Sequence, residues 1–360
     1  MAAKYIRLAK ALKELINQNT GNGIYKLPSE PSICGQYHVS RQTVRSALEL
    51  LVKDGIIEKK KGSGSFSTGL TAENQRIALL VTYEEEYIYP SLLTDVKNVL
   101  NHSGFSVRVY STHNKVFTER KILEELLSSS IRGLLVEGSK TALPNPNLDL
   151  YEQLKAQGVS LLFLHGYYPA YADSVYVKDD NYYGGYLLGK HLLLENHRNL
   201  AGIFKSDDMQ GPERYHGFLT AVRDFGTFLP DEQILWYTTE DLDALESKAD
   251  TGFLSSFIKK KLKFCSAVVC YNDEIAYWLI KELAYAGLHV PGDLSVVCFD
   301  NSYLSELGPV RITSLSHKKH EMGTTAAECL LQMIQGAPVS SKELPFSLTV
   351  KGSDAPFTGQ

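Results

Sequence analysis

Ser40-Arg41-Gln42-Thr43-Val44-Arg45-Ser46-Ala47-Leu48 decides how the first part of the chain folds. Ser40 is a strong helix N-cap, and the residues after it sort onto two faces. Arg41 and Arg45, four apart, share one side, while Val44, Leu48 and Leu51 fall on the other. Such a helix shows two guanidinium groups and the Gln42 amide to a groove while its apolar stripe holds a domain together. Upstream, residues 4–19 place Ile6, Leu8, Ala9, Leu12, Leu15 and Ile16 on another helical stripe, which Gly21-Asn22-Gly23 ends. Ser29 caps a short helix through Gln36, and Tyr37-His38-Val39 makes the turn before Ser40. Downstream, Ile56-Ile57 runs into Lys59-Lys60-Lys61-Gly62-Ser63-Gly64-Ser65-Phe66. Three lysines, a glycine-serine tip and a returning strand make a wing, a hairpin suited to phosphates or a minor groove.

At 360 residues the chain is too long for one ordinary core and divides into two or three domains. Its net charge of −4 hides an asymmetry. Residues 1–70 hold 11 Lys+Arg against 5 Asp+Glu, a net +6, and the remainder holds 26 against 36, a net −10. A basic head on an acidic body confines nucleic-acid contact to the head. Cys34, Cys265, Cys270, Cys298 and Cys329 are odd in number and scattered, mostly in apolar runs. They read as core thiols of a reduced cytoplasm, with no metal site and no disulfide frame. No signal-peptide segment and no membrane-length apolar run are present, so the expectation is a soluble cytoplasmic protein without a membrane partner.

Leu27-Pro28-Ser29-Glu30, Val39 through Arg45 and Gly62 through Phe66 together resemble the winged-helix head of GntR-type bacterial transcription regulators, over nearly all of residues 4–68. The resemblance implies double-stranded operator DNA as partner. The implied contacts are Ser29, Glu30, Ser40, Arg41, Gln42, Thr43, Arg45, Lys59, Lys60, Lys61, Gly62 and Gly64. Pro31-Ser32 departs from the charged or polar residues of that family; proline is harmless in a first helical turn, but a DNA contact there is lost. Taken alone, Arg41 and Arg45 also fit a solvated helix face; the adjoining turn and wing weigh against that.

Residues 69–75 are polar and aperiodic, a linker. Beyond them, strand-like runs at 77–82, 105–110, 133–136 and 160–164 alternate with amphipathic helices, and a second series follows at 200–204, 233–238, 266–270 and 294–299. Two βαβ series of similar size imply two parallel-sheet lobes with a cleft at the carboxyl ends of the strands. Val177 through Gly185, Arg214-Tyr215-His216-Gly217-Phe218, Cys270 through Glu274 and Val290 through Asp300 resemble the LacI/GalR-type sensor domain, which is similar to periplasmic sugar-binding proteins. The expected architecture is an α+β winged helix-turn-helix head, residues 1–68, plus an α/β two-lobed periplasmic-binding-protein-like (type I) sensor domain, residues 76–352, with a tail at 353–360. The pairing of head and body resembles the L-arabinose-responsive repressors of Gram-positive bacteria, implying L-arabinose or a related sugar as effector, no other cofactor, and a homodimer.

A sugar is a ring of hydroxyls with apolar faces, so its site needs carboxylates, amides, a cation or two and an aromatic plane. Strand ends supply that set: Glu137 and Lys140, His165, Lys205 with Asp207 and Gln210, Tyr271 and Asn272, and Asp300. Arg214 opens the next helix, Tyr87 and Tyr89 lie in the first loop, and the resemblance implies a ligand contact from His317 at a crossover. Duller readings stand beside these. Lys205 with Asp207 or Asp208 makes an ordinary ion pair at a helix start, His165 an ordinary polar loop residue. Asp273 and Glu274 suit a helix N-terminus, and Asp179 and Asp180 a cap or lobe-spanning pair. With 21 tyrosines, many must be packing. Acidic Glu137, Asp207 and Asp300 disfavour a phosphorylated ligand, though another pentose or a nucleoside stays open.

No Gly-x-Ser-x-Gly elbow, P-loop, zinc-spaced cluster or dinucleotide fingerprint occurs, which favours a sensor over an enzyme. The competing class, a cytoplasmic sugar-binding protein or sugar-modifying enzyme with a basic appendage, is opposed by the arginine helix and Lys59 to Lys61.

Overall fold

Apolar residues spaced three and four apart close the head around one core. The structure, a computed structural model, describes residues 4–21, 26–53, 56–60, 63–67, 76–248 and 250–359. Helices α1 (Lys4–Gly21), α2 (Glu30–Tyr37) and α3 (Arg41–Lys53) bury Leu12, Ile33, Val44, Ala47, Leu48 and Leu51 against one another. Ile6 corrects the expected stripe: it lies about 200° around the helix from Leu8 and is 43% exposed. The cap at α3 forms through Ser40 Oγ, which accepts from the Thr43 amide at 3.2 Å. Strands β1 (Ile57–Lys60) and β2 (Gly64–Ser67) pair antiparallel as the wing. The Leu27 amide donates to the Ser65 carbonyl at 2.9 Å, tying the start of α2 to that hairpin. The expected linker, Lys61 and Gly62 lie outside the described residues.

Beyond the head stand two parallel sheets. The first lobe holds β3 (Arg76–Val81), β4 (Ser106–Ser111), β5 (Gly133–Val136), β6 (Ser160–Leu164) and β7 (Tyr176–Asp179), with α4 (Tyr89–His102), α5 (Val116–Leu127) and α6 (Leu148–Ala156) between them. Its order is completed by β13 (Lys342–Leu344), giving β13-β7-β6-β5-β3-β4. The second lobe holds β8 (Leu200–Lys205), β9 (Ile234–Tyr237), β10 (Ala267–Cys270), β11 (Ser295–Phe299) and β12 (Thr313–Ser316), closed by antiparallel β14 (Ser347–Thr349) in the order β14-β12-β11-β10-β8-β9. Around it lie α7 (Asn181–Leu194), α8 (Gln210–Asp224), α9 (Thr239–Lys248), α10 (Gly252–Lys260), α11 (Asp273–Tyr285) and α12 (Leu304–Leu307). Helix α13 (Glu321–Ile334) returns to the first lobe, where Met322, Ala326 and Leu330 join its core.

The chain passes between lobes after β7, after β12 and after β13, so Asp179, His317 and Phe346 stand at the hinge. Every strand of the two parallel series ends toward the same cleft, which is where loops must carry a ligand site. Residues 353–357, expected as a tail, belong to the second lobe instead. Ser353 is buried and its hydroxyl donates to the Val296 carbonyl, and the Phe357 amide donates to the Glu195 carbonyl at 2.8 Å. Among the described residues no helix is long and apolar enough to cross a membrane.

Candidate functional site

A cavity of about 520 Å³ opens between the lobes. It brings together Tyr87, Tyr89, Glu137, His165, Lys205, Gln210, Tyr271, Asn272, Asp300 and His317 from the sequence-derived set. From the first lobe, Glu137 at the end of β5 accepts from the Thr82 amide at 2.8 Å and the Tyr89 hydroxyl at 3.1 Å, which fixes both oxygens. His165 stands after β6 in the left-handed region, φ +59°, and its buried Nε2 has no hydrogen-bond partner among the described residues. Tyr87, at φ +57°, crosses to the second lobe and meets Asp273 and Asp300 at 2.6 and 2.7 Å. A left-handed tyrosine costs roughly 1–2 kcal/mol, a strain that such contacts offset.

The second lobe supplies the opposite wall. Asn272 caps α11 by accepting from the Ile275 amide at 3.1 Å, so its carbonyl is occupied while its NH2 remains to donate. Lys205 pairs with Asp208 at 2.6 Å, which fits the duller reading, yet both residues also face the cavity. Burial works against the Lys205 ammonium, but Asp208 and Asp207 outweigh it and keep the lysine charged. Burial and the neighbouring Glu246 push the Glu274 carboxyl upward, so it favours the neutral form.

Three expected ligand residues do not line the cavity. Arg214 is 1% exposed and lies beneath the floor. Its guanidinium donates to Asn181 and Gln210 at 2.9 Å each, to the Tyr271 carbonyl, and to Asp300 at 3.4 Å, while packing over the Phe299 ring at 4.2 Å. It orients cavity residues without reaching the cavity. This position exists because α7 and α8 meet backbone to backbone: a Cβ at Gly185 would stand 1.9 Å from the Arg214 carbonyl, and one at Gly217 would stand 1.8 Å from the Tyr182 carbonyl. Asp207 is turned away to accept from the Thr239 amide at 3.0 Å and hydroxyl at 2.7 Å. Lys140 joins an interlobe clamp instead, 2.6 Å from Glu240 and 3.6 Å from Asp207, next to an Asn114 amide that donates to Asp208 at 3.1 Å.

One cavity residue had no usable signal in the sequence, and others stand outside the expected ligand set. Tyr237, in the edge strand β9, is fully buried with a hydroxyl unpartnered among the described residues; Tyr83, which the sequence places in the first loop with Tyr87 and Tyr89, and Asp208, expected as an ion-pair partner of Lys205, also line the wall. Asp179 lines it too while pairing with His317 at 2.9 Å, and Asp180 caps α7 through the Tyr183 amide at 3.0 Å.

In the head, Arg41 and Gln42 are exposed on α3 beside Arg45, whose Nε lies 3.2 Å from Glu30. Glu30 therefore positions Arg45 and meets an anionic backbone poorly on its own. Ser29 caps α2 by accepting from the Ser32 amide at 3.3 Å, and Ser40 with Thr43 shares a 2.9 Å hydroxyl contact. Lys59 and Lys60 are exposed on β1, with Lys60 held by Glu58 at 2.8 Å and over the Phe66 ring at 5.2 Å. Gly64, φ +108°, opens the returning strand, and Lys26, missed in the sequence, lies over the same Phe66 ring at 5.7 Å.

Comparison with known proteins matches the same two parts. Residues 4–66 fit the bacterial regulatory proteins of the gntR family, and residues 190–353 fit a periplasmic binding protein-like domain. An arabinose metabolism transcriptional repressor of Halalkalibacterium halodurans is 35% identical over 343 residues, 93% of this chain and 90% of the relative. One of the same description from Geobacillus stearothermophilus is 34% identical over 92% of this chain and 91% of its own. The solved structure of a transcriptional regulator CelR–cellobiose complex superimposes with a TM-score of 0.68 at 20% identity, covering 93% of this chain and 94% of its own, which supports the fold. The chain thus belongs to the bacterial transcriptional regulators, not enzymes, that join a GntR head to a periplasmic-binding-protein-like domain, the family of these two arabinose metabolism repressors.

Proposed function

We propose that this protein is a cytoplasmic homodimeric repressor of sugar-utilisation genes whose effector is L-arabinose. The observation that carries the reading is the interlobe cavity. Its walls come from separate lobes, and it offers His165 Nε2 and the Tyr237 hydroxyl as buried hydrogen-bonding groups, unpartnered among the described residues, amid carboxylates, an amide and aromatic rings. Unpaired buried polar atoms are costly, and a ring of neutral hydroxyls satisfies both donors and acceptors. The excess of carboxylates disfavours an anionic ligand. The relatives' arabinose assignment agrees with this chemistry.

Sugar held between the lobes favours their closed arrangement, and the dimer then no longer presents two heads at the spacing of two half-sites. Sugar and operator oppose each other reciprocally. Calorimetric titration of the full chain with L-arabinose, D-ribose and arabinose 5-phosphate tests the effector. The expected result is saturable binding of L-arabinose with much weaker binding of the phosphate. Preferential binding of the phosphate would overturn the reading.

A further inference from the structure

The Tyr87 hydroxyl oxygen stands 2.6 Å from Asp273 Oδ1 and 2.7 Å from Asp300 Oδ2, the tyrosine from one lobe and both carboxyls from the other. A phenol carries one hydrogen and donates to one acceptor at a time. Three oxygens joined by two hydrogen bonds therefore need two protons. With both carboxylates ionised, one contact sets a bare lone pair against an anion and is repulsive.

The surroundings assign the second proton. Asp300 is 3.4 Å from the Arg214 guanidinium on α8, and His317 at the β12 crossover adds to its positive surroundings. Asp273 faces other groups. Its second oxygen accepts from the Ser302 amide, Glu274 follows it on α11, and Cys298 on β11 approaches it as a thiol that burial keeps neutral. Lys205 on β8 acts on Glu274. Burial and the Asp300 charge push the Asp273 carboxyl up to about 7.

We infer that Tyr87, Asp273 and Asp300 form a proton-operated latch between the lobes: closure takes up one proton on Asp273, and losing it loosens the hold of Tyr87 on the second lobe. Tyr87 then donates to Asp300, and the Asp273 carboxyl donates to the Tyr87 oxygen. With the lobes apart, water in place of Tyr87 can donate one hydrogen to each carboxylate, so the second proton is required only when the phenol sits between them. The Asp273 carboxyl, pushed up to about 7 in this closed contact, holds the latch at lower pH, and the latch is lost as pH rises through that value. On the approach to that value closure weakens by at most about tenfold per pH unit. Its regulatory meaning, effector affinity that falls with rising pH, rests on the proposed sugar-binding reading; the latch itself does not.

Hydrogen–deuterium exchange of the sugar-free full chain tests it, with protection of residues 84–89 compared at pH 6 and pH 8 after correction for intrinsic amide chemistry. The wild type should lose roughly tenfold in protection at the higher pH. Asp273→Asn, whose amide donates without titrating, and Tyr87→Phe should show no such step. Unchanged wild-type protection, or the same step in either variant, would overturn the latch. Should Asp273→Asn fail to fold, Tyr87→Phe alone decides. A parallel L-arabinose titration separates the two ideas: no sugar binding with the pH step intact removes the effector reading and leaves the latch standing.

Discussion

His317 Nδ1 and Asp179 Oδ1 lie 2.9 Å apart, each at the end of a strand from which the chain passes between lobes. Burial works against both charges, yet each is outweighed by the other: the histidine is held above its ordinary 6.5 and the aspartate below its ordinary 3.8. The His317 contribution is full below 6.5 and is lost as pH rises through its raised value. The Asp179 contribution is full above 3.8 and is lost as pH falls through its lowered value. Asp179→Asn should cost about 1.5–3 kcal/mol at pH 5–6 and less at pH 9, read from denaturant unfolding across that range.

Arg214 sustains three cavity residues, Gln210, Tyr271 and Asp300, from beneath the floor. Arg214→Ala leaves the Asp300 carboxylate without its cation and Asn181 without its donor. Breaking such a buried pair costs about 3–5 kcal/mol, and sugar affinity should fall with stability. Thermal unfolding with calorimetry checks both. A variant that is fully stable yet blind to sugar would instead place the guanidinium against the ligand.

Gly185→Ala drives a methyl group into the Arg214 carbonyl of the neighbouring helix. The helices must separate, so the expected outcome is destabilisation by at least about 1–3 kcal/mol with loss of sugar response. Circular dichroism melts and sugar titration measure the two effects.

The head follows different rules. Arg41→Ala should weaken specific operator binding by about 1–3 kcal/mol and leave sugar affinity unaltered. Lys59→Ala should weaken binding to all sequences alike and reduce the slope of log affinity against log salt by about one. Leu48→Ala opens the packed core beneath α3 and should cost about 2–5 kcal/mol in the head alone. Band shifts over a salt series, with separate melts of head and body, distinguish these outcomes.

The apolar core strands were legible because residues 77–81 and Leu200–Lys205 are buried runs of a parallel sheet. The strands at the crossovers were not. Tyr-Val-Lys-Asp at 176–179 and Thr-Ser-Leu-Ser at 313–316 are short and half polar, and only pairing with neighbours distant in sequence makes them strands. The cleft was readable to the extent that it lies at strand ends, which located Glu137, His165 and Asp300. Whether a side chain at such an end faces inward depends on the partners that packing brings to it, within its own lobe or across the cleft. Thr239 turns Asp207 away, Glu240 draws Lys140 to a clamp, and the glycine contact of α7 with α8 sinks Arg214 below the floor. Tyr237 sits in an edge strand with no motif around it, and only packing against Phe253 and Tyr271 turns its hydroxyl into the wall.

The most direct test is titration of L-arabinose into a complex of the full chain with its operator, followed by fluorescence anisotropy at fixed salt. A coupling of about 1–3 kcal/mol predicts that operator affinity falls roughly 5- to 150-fold at saturating sugar, and that operator weakens sugar binding by the same factor. Operator affinity that is unchanged when the cleft is saturated would contradict a sugar-released repressor.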